Sequence, residues 1–330
     1  MALPVEWSQR LRLPLLVAPM LHISSPELVA QACLAGAMAA FPTANCANTT
    51  ELSAWIVRIR SLLTSSSQTG GYPPAPFAAN LIIKSPHVQA HLDCLVEEGI
   101  ELVITSVGSP RDVIGPLHRA GCRVFADVAS VAHAHKALND GVDGLVLLSA
   151  GAGGQTGWAN GFAFVRAVRD FYDGPVALAG GLGDGASLWA AQALGADLGY
   201  MGTRFIATPE SLASSQYRDQ LVSATLDDVV LSSAVTGLPA NWLRHSLADA
   251  GLLSSDAADF DPERFTARDA DAARRWKDVW SAGHSVSSVD AVAPTAVVIA
   301  GLLEQYRSAR EASLSATCLH VSDPLAEVLQ

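Results

Sequence analysis

Short apolar runs recur along the chain, each closed by a turn signal and followed by a stretch in which apolar residues return every three or four positions. Runs of four to seven residues bounded by Gly, Pro or Asn mark strands buried on both faces, and the spacing between them is that of amphipathic helices. The runs cover 13–18, 37–41, 77–83, 101–106, 123–127, 144–148, 176–179 and 198–201. Helix starts are signalled between them: in SPELVAQACLAG, Ser25 is placed to cap and Pro26 occupies the first helical position, and in DGASLWAAQALG the cap is Asp184. Eight such repeats predict an α/β fold, the (β/α)8 TIM barrel. An open doubly wound sheet is the alternative, and it usually has fewer strands.

The rhythm stops after Thr203. Residues 211–284 are predicted to form a helical lid inserted after strand eight, rich in Asp, Ala, Arg and Trp. The amphipathic run TAVVIAGLLEQYRSAREA, 295–312, is expected to return as the last barrel helix. The organisation read from the sequence is therefore a barrel over 1–210 and 285–312, a lid and substrate subdomain over 211–284, and a weakly periodic tail over 313–330.

Composition narrows the partners. Half of the 330 residues are apolar, 16% are charged and the formal net charge is -11, which repels nucleic-acid phosphates and anionic lipid. A small-molecule ligand is expected, with no nucleic acid and no membrane; a homodimer is compatible with the sequence but not specified by it. Five cysteines (Cys33, Cys46, Cys94, Cys122 and Cys318) are scattered without a CxxC pair, which suits a reducing cytoplasm better than a disulfide framework or zinc knuckle. The uncharged stretch 28–50 is interrupted by Pro42, Asn45 and Asn48 and reads as strand and helix, not a membrane span. Arg10 and Arg12 precede LPLLVAPML, but no small-residue cleavage site of a signal peptide follows.

In a barrel, ligands sit at the carboxyl ends of the strands. VALAGGLGDG places Gly180 and Gly181 after strand seven, where bare backbone N–H groups can approach a phosphate, and YMGTRFIAT places Gly202 and Thr203 after strand eight. The two pairs lie at the ends of adjacent strands and together predict a phosphate site; Arg204 is either its counter-charge or an ordinary ion-pair partner. No HExxH or close carboxylate–histidine set occurs, so no metal is expected, and Ser149 lacks a GxSxG elbow. The glycines of 151–154 have no acidic partner at Rossmann spacing, which disfavours a tightly held dinucleotide.

These motifs carry a resemblance. LPLLVAPM near the start, PFAANL at 76–81, the glycine loop 151–157, AGGLGDG at 179–185, YMGTRFIAT at 200–208 and WSAG at 280–283 stand in the order found in the nitronate monooxygenase family, which binds FMN in a barrel. The resemblance implies that Ala18, Pro19 and Met20 lie against the isoalloxazine ring. It implies also that Asn80 hydrogen-bonds near the ring and that the Gly180–Gly181 and Gly202–Thr203 pairs hold the phosphate, with Asp127, Ala150, Gly154 and Ala179 among the cofactor contacts. Read bottom-up, Met20 is either a soft flavin face or core filling, and the Asn80 amide needs either a ligand or a local backbone partner. Asp127 stands where some relatives carry Lys and is otherwise a buried acid with a raised pKa.

Family members that oxidise nitroalkanes carry His in the glycine loop, where this chain has Gln155. A neutral amide donates and accepts hydrogen bonds but takes no proton near neutral pH. Nitronates, already deprotonated, are thus the expected substrates, with O2 as co-substrate; Gln155 either holds their oxygens or only ties down the loop. His22, four residues past strand one, and His284, after WSAG, are the candidates for a replacement base, while His133 and His135 fall in a helical pattern. The alternatives are an NAD(P)H-dependent flavin reductase acting on an enoyl thioester or quinone, a flavin-binding barrel without turnover, and a flavin-free barrel such as a sugar-phosphate lyase.

Overall fold

The computed structural model describes residues 2–67, 72–253 and 279–315. Eight parallel strands close a barrel: β1 Leu15–Val17, β2 Met38–Pro42, β3 Phe77–Ile82, β4 Leu102–Ser106, β5 Arg123–Val128, β6 Gly144–Leu148, then β8 Val176–Ala179 and β9 Leu198–Met201 after an intervening two-residue strand, β7 Gly154–Gln155. Closure is made by β1 and β9, with Leu15 opposite Gly199 and Val17 opposite Met201. The eight expected runs each fall on a barrel strand, and no doubly wound sheet forms.

The helix starts follow from their caps. Ser25 Oγ accepts from the Leu28 N–H ahead of helix Pro26–Leu34. Asp184 accepts from the Ser187 N–H while Ser187 Oγ accepts from the Asp184 N–H, a reciprocal box that opens helix Gly185–Leu194. Helix Thr295–Ser315 packs against Gly185–Leu194 and Pro26–Leu34, closing the helical ring between the last strand and the first. It runs a few residues into the expected tail; 316–330 lie outside the described residues.

Period-two alternation sorts each strand into two cores. Leu15, Val17, Ala39, Phe41, Val124 and Ala126 face the helices, in one buried layer. Leu16, Met38, Ala78, Ile104, Phe125, Val146, Ala177 and Leu198 face inward and fill the barrel, so the interior is packed and not a pore. The short helix Val5–Ser8 plugs the amino end, with Trp7 buried against Phe125, ring centroids 6.2 Å apart. One further step of two along each strand leads from this packed layer to the mouth, and that step chooses the site residues.

The inserted segment differs from the expected all-helical lid. Its described part contains helix Ser215–Ser223 and helix Arg244–Asp249, but also β10 Val229–Ser232 and β11 Ala240–Leu243, an antiparallel ribbon. β11 pairs in turn with β7, so three short strands form a second sheet over the mouth. Residues 254–278 lie outside the described residues.

Candidate active site

Moving two residues outward from the inner layer gives Ala18 then Met20 after Leu16, Asn80 after Ala78, Ser106 after Ile104, Asp127 after Phe125, Leu148 after Val146, Ala179 after Ala177, and Tyr200 then Gly202 after Leu198. All of them line one cavity at the carboxyl end of the barrel. Pro19, Gly154, Gln155, Gly180, Gly181 and Thr203 line the same cavity. The structure therefore brings together twelve of the positions singled out in the sequence.

Gly180 and Gly181 both have positive φ, 114° and 73°, conformations that side-chain-bearing residues rarely adopt. A Cβ on Gly180 would stand 2.4 Å from Ser149 Oγ and 2.9 Å from the Ala150 carbonyl oxygen, whereas one on Gly181 would meet nothing within 4 Å and would enter the cavity. Gly202 caps the short helix Thr203–Ile206. Among the described residues, the N–H groups of Gly180, Gly181, Leu182, Gly202 and Thr203 donate to no protein acceptor, and all five residues line the cavity. Clustered unsatisfied main-chain donors form a cradle for an anion. Arg204 is not part of it: its guanidinium turns away to Asp290, 2.9 Å.

The glycine loop is pinned from both sides. Gly154 and Gln155 form β7, opposite Asn241 and Ala240 of β11. The buried Asn241 amide donates to the Ala152 carbonyl at 2.8 Å, and the Thr156 N–H donates to Pro239 O. On its other flank the loop backbone lies directly on 282–283: a Cβ on Gly153 would be 2.8 Å from the Gly283 nitrogen, and Gly283 donates to Thr203 Oγ1 at 2.9 Å. At Gly153 and Gly283 the absence of a side chain lets the two backbones touch. Gln155, half-buried, points its edge of the loop at the cavity, and its side chain makes no hydrogen bond to the described protein. Replacing Asn241 by Ala leaves the Ala152 carbonyl buried and unpaired. The expected result is a loss of about 2 kcal/mol in chemical denaturation, together with weaker ligand retention.

Three expected residues stand elsewhere. Ala150 is exposed behind Gly180 and donates to Ala159 O, so the loop backbone and not its side chain is what reaches the site. His284 is exposed; its N–H donates to Gly151 O and its ring lies against Gly151 on the side away from the walls. His22 has φ of 59° and donates its N–H to Asn45 Oδ1, in the turn after β1 and outside the cavity walls. Neither histidine is among the residues that line the cavity. His135 stacks on Phe171 in helix Val131–Asp140.

Asn80 is nine-tenths or more buried, and its amide is held by the protein: Nδ2 donates to Ile104 O and to Ser106 Oγ, each 3.1 Å. Asp127 has no such support. Its Oδ1 is sealed from solvent without a partner, and burial pushes the carboxyl up to about 7. Tyr200, buried beside it, is raised well above its ordinary value by burial and by the Asp127 charge.

Sequence reasoning missed Asn45, whose Nδ2 donates to Met20 O and Ser24 O and so sets the loop carrying Met20. Within the inserted segment, expected as a lid and substrate subdomain, it did not single out Asn241 or the wall residues Tyr217, stacked on Trp280 at 5.0 Å, and Val279; Ser281 lies in the WSAG run. The signal for Asn45 and Asn241 was a polar residue inside an otherwise apolar run, as in ANWL.

A closed barrel with an anion cradle at the ends of its last two strands defines a class, the TIM barrels that hold a phosphate-bearing ligand at the carboxyl end of the barrel, and the family whose model the chain matches narrows it to flavin-dependent oxidoreductases. The family model for nitronate monooxygenase matches residues 74–252, over half of the chain, and the chain belongs to that family. Among similar proteins, a nitronate monooxygenase of Paraburkholderia phytofirmans is 26% identical over 276 residues, covering 72% of this chain and 75% of its own. The (3aS,4S,5R,7aS)-5-hydroxy-7a-methyl-1-oxo-octahydro-1H-indene-4-carboxyl-CoA dehydrogenase of Rhodococcus jostii is 28% identical over 250 residues, 73% of this chain and 68% of its own. The solved structure of FabK from Thermotoga maritima superposes with a TM-score of 0.77 at 25% identity, over 93% of this chain and 96% of that one. Among the described residues no helix is long and apolar enough to cross a membrane.

Proposed function

We propose that the chain binds FMN and oxidises alkyl nitronates with O2 to a carbonyl compound and nitrite. The observation that carries the cofactor is the set of five unpartnered amides at 180–182 and 202–203, which fits a terminal phosphate approached by main chain alone. Met20, Ala18 and Pro19 would face the ring, with Asn80, held by β4, near its polar edge. The bound flavin supplies two-electron redox chemistry. Gln155 donates its amide N–H to the nitronate oxygens and orients them, and being neutral it removes no proton from carbon. Ile23, Ile206 and Val279 make an apolar wall that keeps water from the reacting end.

The glycine loop favours a substrate delivered already deprotonated, because no side chain at 155 can act as base. Under anaerobic conditions, propyl-2-nitronate is expected to bleach the visible flavin band within the turnover time, while neutral 2-nitropropane leaves it unchanged. Mass analysis of the heat-released pigment is expected to give FMN and not FAD.

A second reading has one specific support, the 28% identity to a dehydrogenase of a carboxyl-CoA compound. In that reading the chamber takes a thioester and the flavin exchanges electrons with it or with NAD(P)H. Bleaching by NAD(P)H or an acyl-CoA, with none by nitronate, would install the second reading in place of the first.

A further inference from the structure

Among the described residues, Asp127 is the one carboxyl in the cavity walls, and nothing described in the protein answers it. On β5 it is the inward step above Phe125, while Ala126 and Val128 face the helices. Its side chain accepts no hydrogen bond and pairs with no cation among the described residues, and Oδ1 is shut away from solvent. The strands on either side offer no charge: β4 presents Ser106 and β6 presents Leu148. Of the other described groups in the walls, Asn80 comes from β3 and cannot titrate, and only two ionise at all. These are Tyr200 from β9 and Tyr217 from helix Ser215–Ser223, both phenols held protonated by burial. An ionised carboxylate in such a place is strongly disfavoured, and a neutral acid has one proton to give and no protein acceptor to give it to.

We propose that Asp127 is retained as a neutral carboxylic acid and donates its O–H as a hydrogen bond to an acceptor on the polar edge of the flavin ring, so that the protein lets go of its cofactor as the medium turns alkaline. The inference rests on the flavin reading above. It assigns Asp127 a binding role opposite to that of a cation at the same place: a proton offered on demand replaces a fixed positive charge. Ionisation of the free protein removes the donor and sets a negative charge against the ring's carbonyl oxygens.

Only the protonated fraction of free protein is competent to bind, so the apparent dissociation constant rises as that fraction falls. With the carboxyl titrating at about 7, the competent fraction at pH 8.5 is about one in thirty. Fluorescence titration of the full chain with FMN is therefore expected to show affinity about 30-fold weaker at pH 8.5 than at pH 6, relative to Asp127→Asn measured alongside. The variant keeps a neutral donor, and it shares any titration of the FMN phosphate, which cancels in the comparison. Asp127→Ser is a second neutral variant should the first fail to fold.

A second readout needs no flavin. Because the folded-state value is raised above the usual 3.8, the carboxyl's contribution to stability is complete below that value and is lost as pH rises through about 7. The melting temperature of the cofactor-free wild type is expected to drop between pH 5.5 and 8.5 by more than that of Asp127→Asn. A wild-type to variant affinity ratio that stays constant with pH, or an affinity that strengthens on the alkaline side because the carboxylate accepts from a ring N–H, overturns the proposal while leaving the flavin assignment standing. Protein that takes up no flavin at any pH overturns both.

Discussion

Gly180→Ala is expected to weaken FMN binding by at least about a hundredfold. The native φ of 114° is outside the range an alanine tolerates, and its methyl would stand 2.4 Å from Ser149 Oγ and 2.9 Å from Ala150 O. Ser149 cannot simply swing aside, because its hydroxyl donates to Ala179 O at 2.6 Å and holds the end of β6 to the end of β8. The loop must move, and the amides of Gly180 and Gly181 move with it. A hydrogen bond to a charged group contributes about 1.5–3 kcal/mol. Two misdirected donors therefore correspond to roughly 10²- to 10⁴-fold in affinity. Gly99→Ala is the control: its φ is 60° at a helix end and a methyl there meets nothing within 4 Å. That variant is expected to lose about 1 kcal/mol of stability and no affinity. Equal FMN affinity in Gly180→Ala and wild type, by fluorescence quenching, would remove the phosphate from this cradle.

Gln155→His is expected to raise kcat/KM for neutral nitroalkanes by about a hundredfold or more while changing nitronate oxidation little. Position 155 does not choose its own direction. Its backbone is fixed opposite Ala240 in the β7–β11 pair, so an imidazole placed there faces the same chamber as the amide it replaces. A histidine in that chamber supplies the proton acceptor that carbon–hydrogen cleavage requires; neither His22 nor His284 lines it. Steady-state rates with nitroethane and with its nitronate, measured across pH, separate the two steps. Unchanged nitroalkane oxidation with normal flavin retention would mean that the missing base is not what limits this enzyme.

The barrel was legible because each strand is a local object: three to six residues, apolar on both faces, ended by its own turn. The cofactor-side residues were legible for the same reason, since they sit at the ends of those runs and keep the inward phase, as Asn80 does two beyond Ala78 and Asp127 two beyond Phe125. What escaped was defined by partners far along the chain. β7 is two residues long and exists only because β11, over 80 residues later, lies beside it. Asn241 looks like any polar residue in ANWL until the Ala152 carbonyl is brought to it. The ribbon of β10 and β11 was read as helix and loop because VVLS and ANWL are neither continuous apolar runs, as the four-residue β8 is, nor long enough to display an alternation. The outward placement of His22 and His284 depends on loop dihedrals that residue identity does not dictate, such as the positive φ at His22.

The seam between β7 and β11 makes two parts of the polypeptide answerable to different pressures. Register within the ribbon from 229 to 243 sets where residue 155 stands, yet the hydrophobic interior that keeps the eight-stranded cylinder intact lies wholly beneath it. Natural or laboratory drift in that ribbon can re-aim the reactive wall by fractions of an ångström while the scaffold folds as before, which gives this architecture a cheap route from one small oxidisable molecule to another.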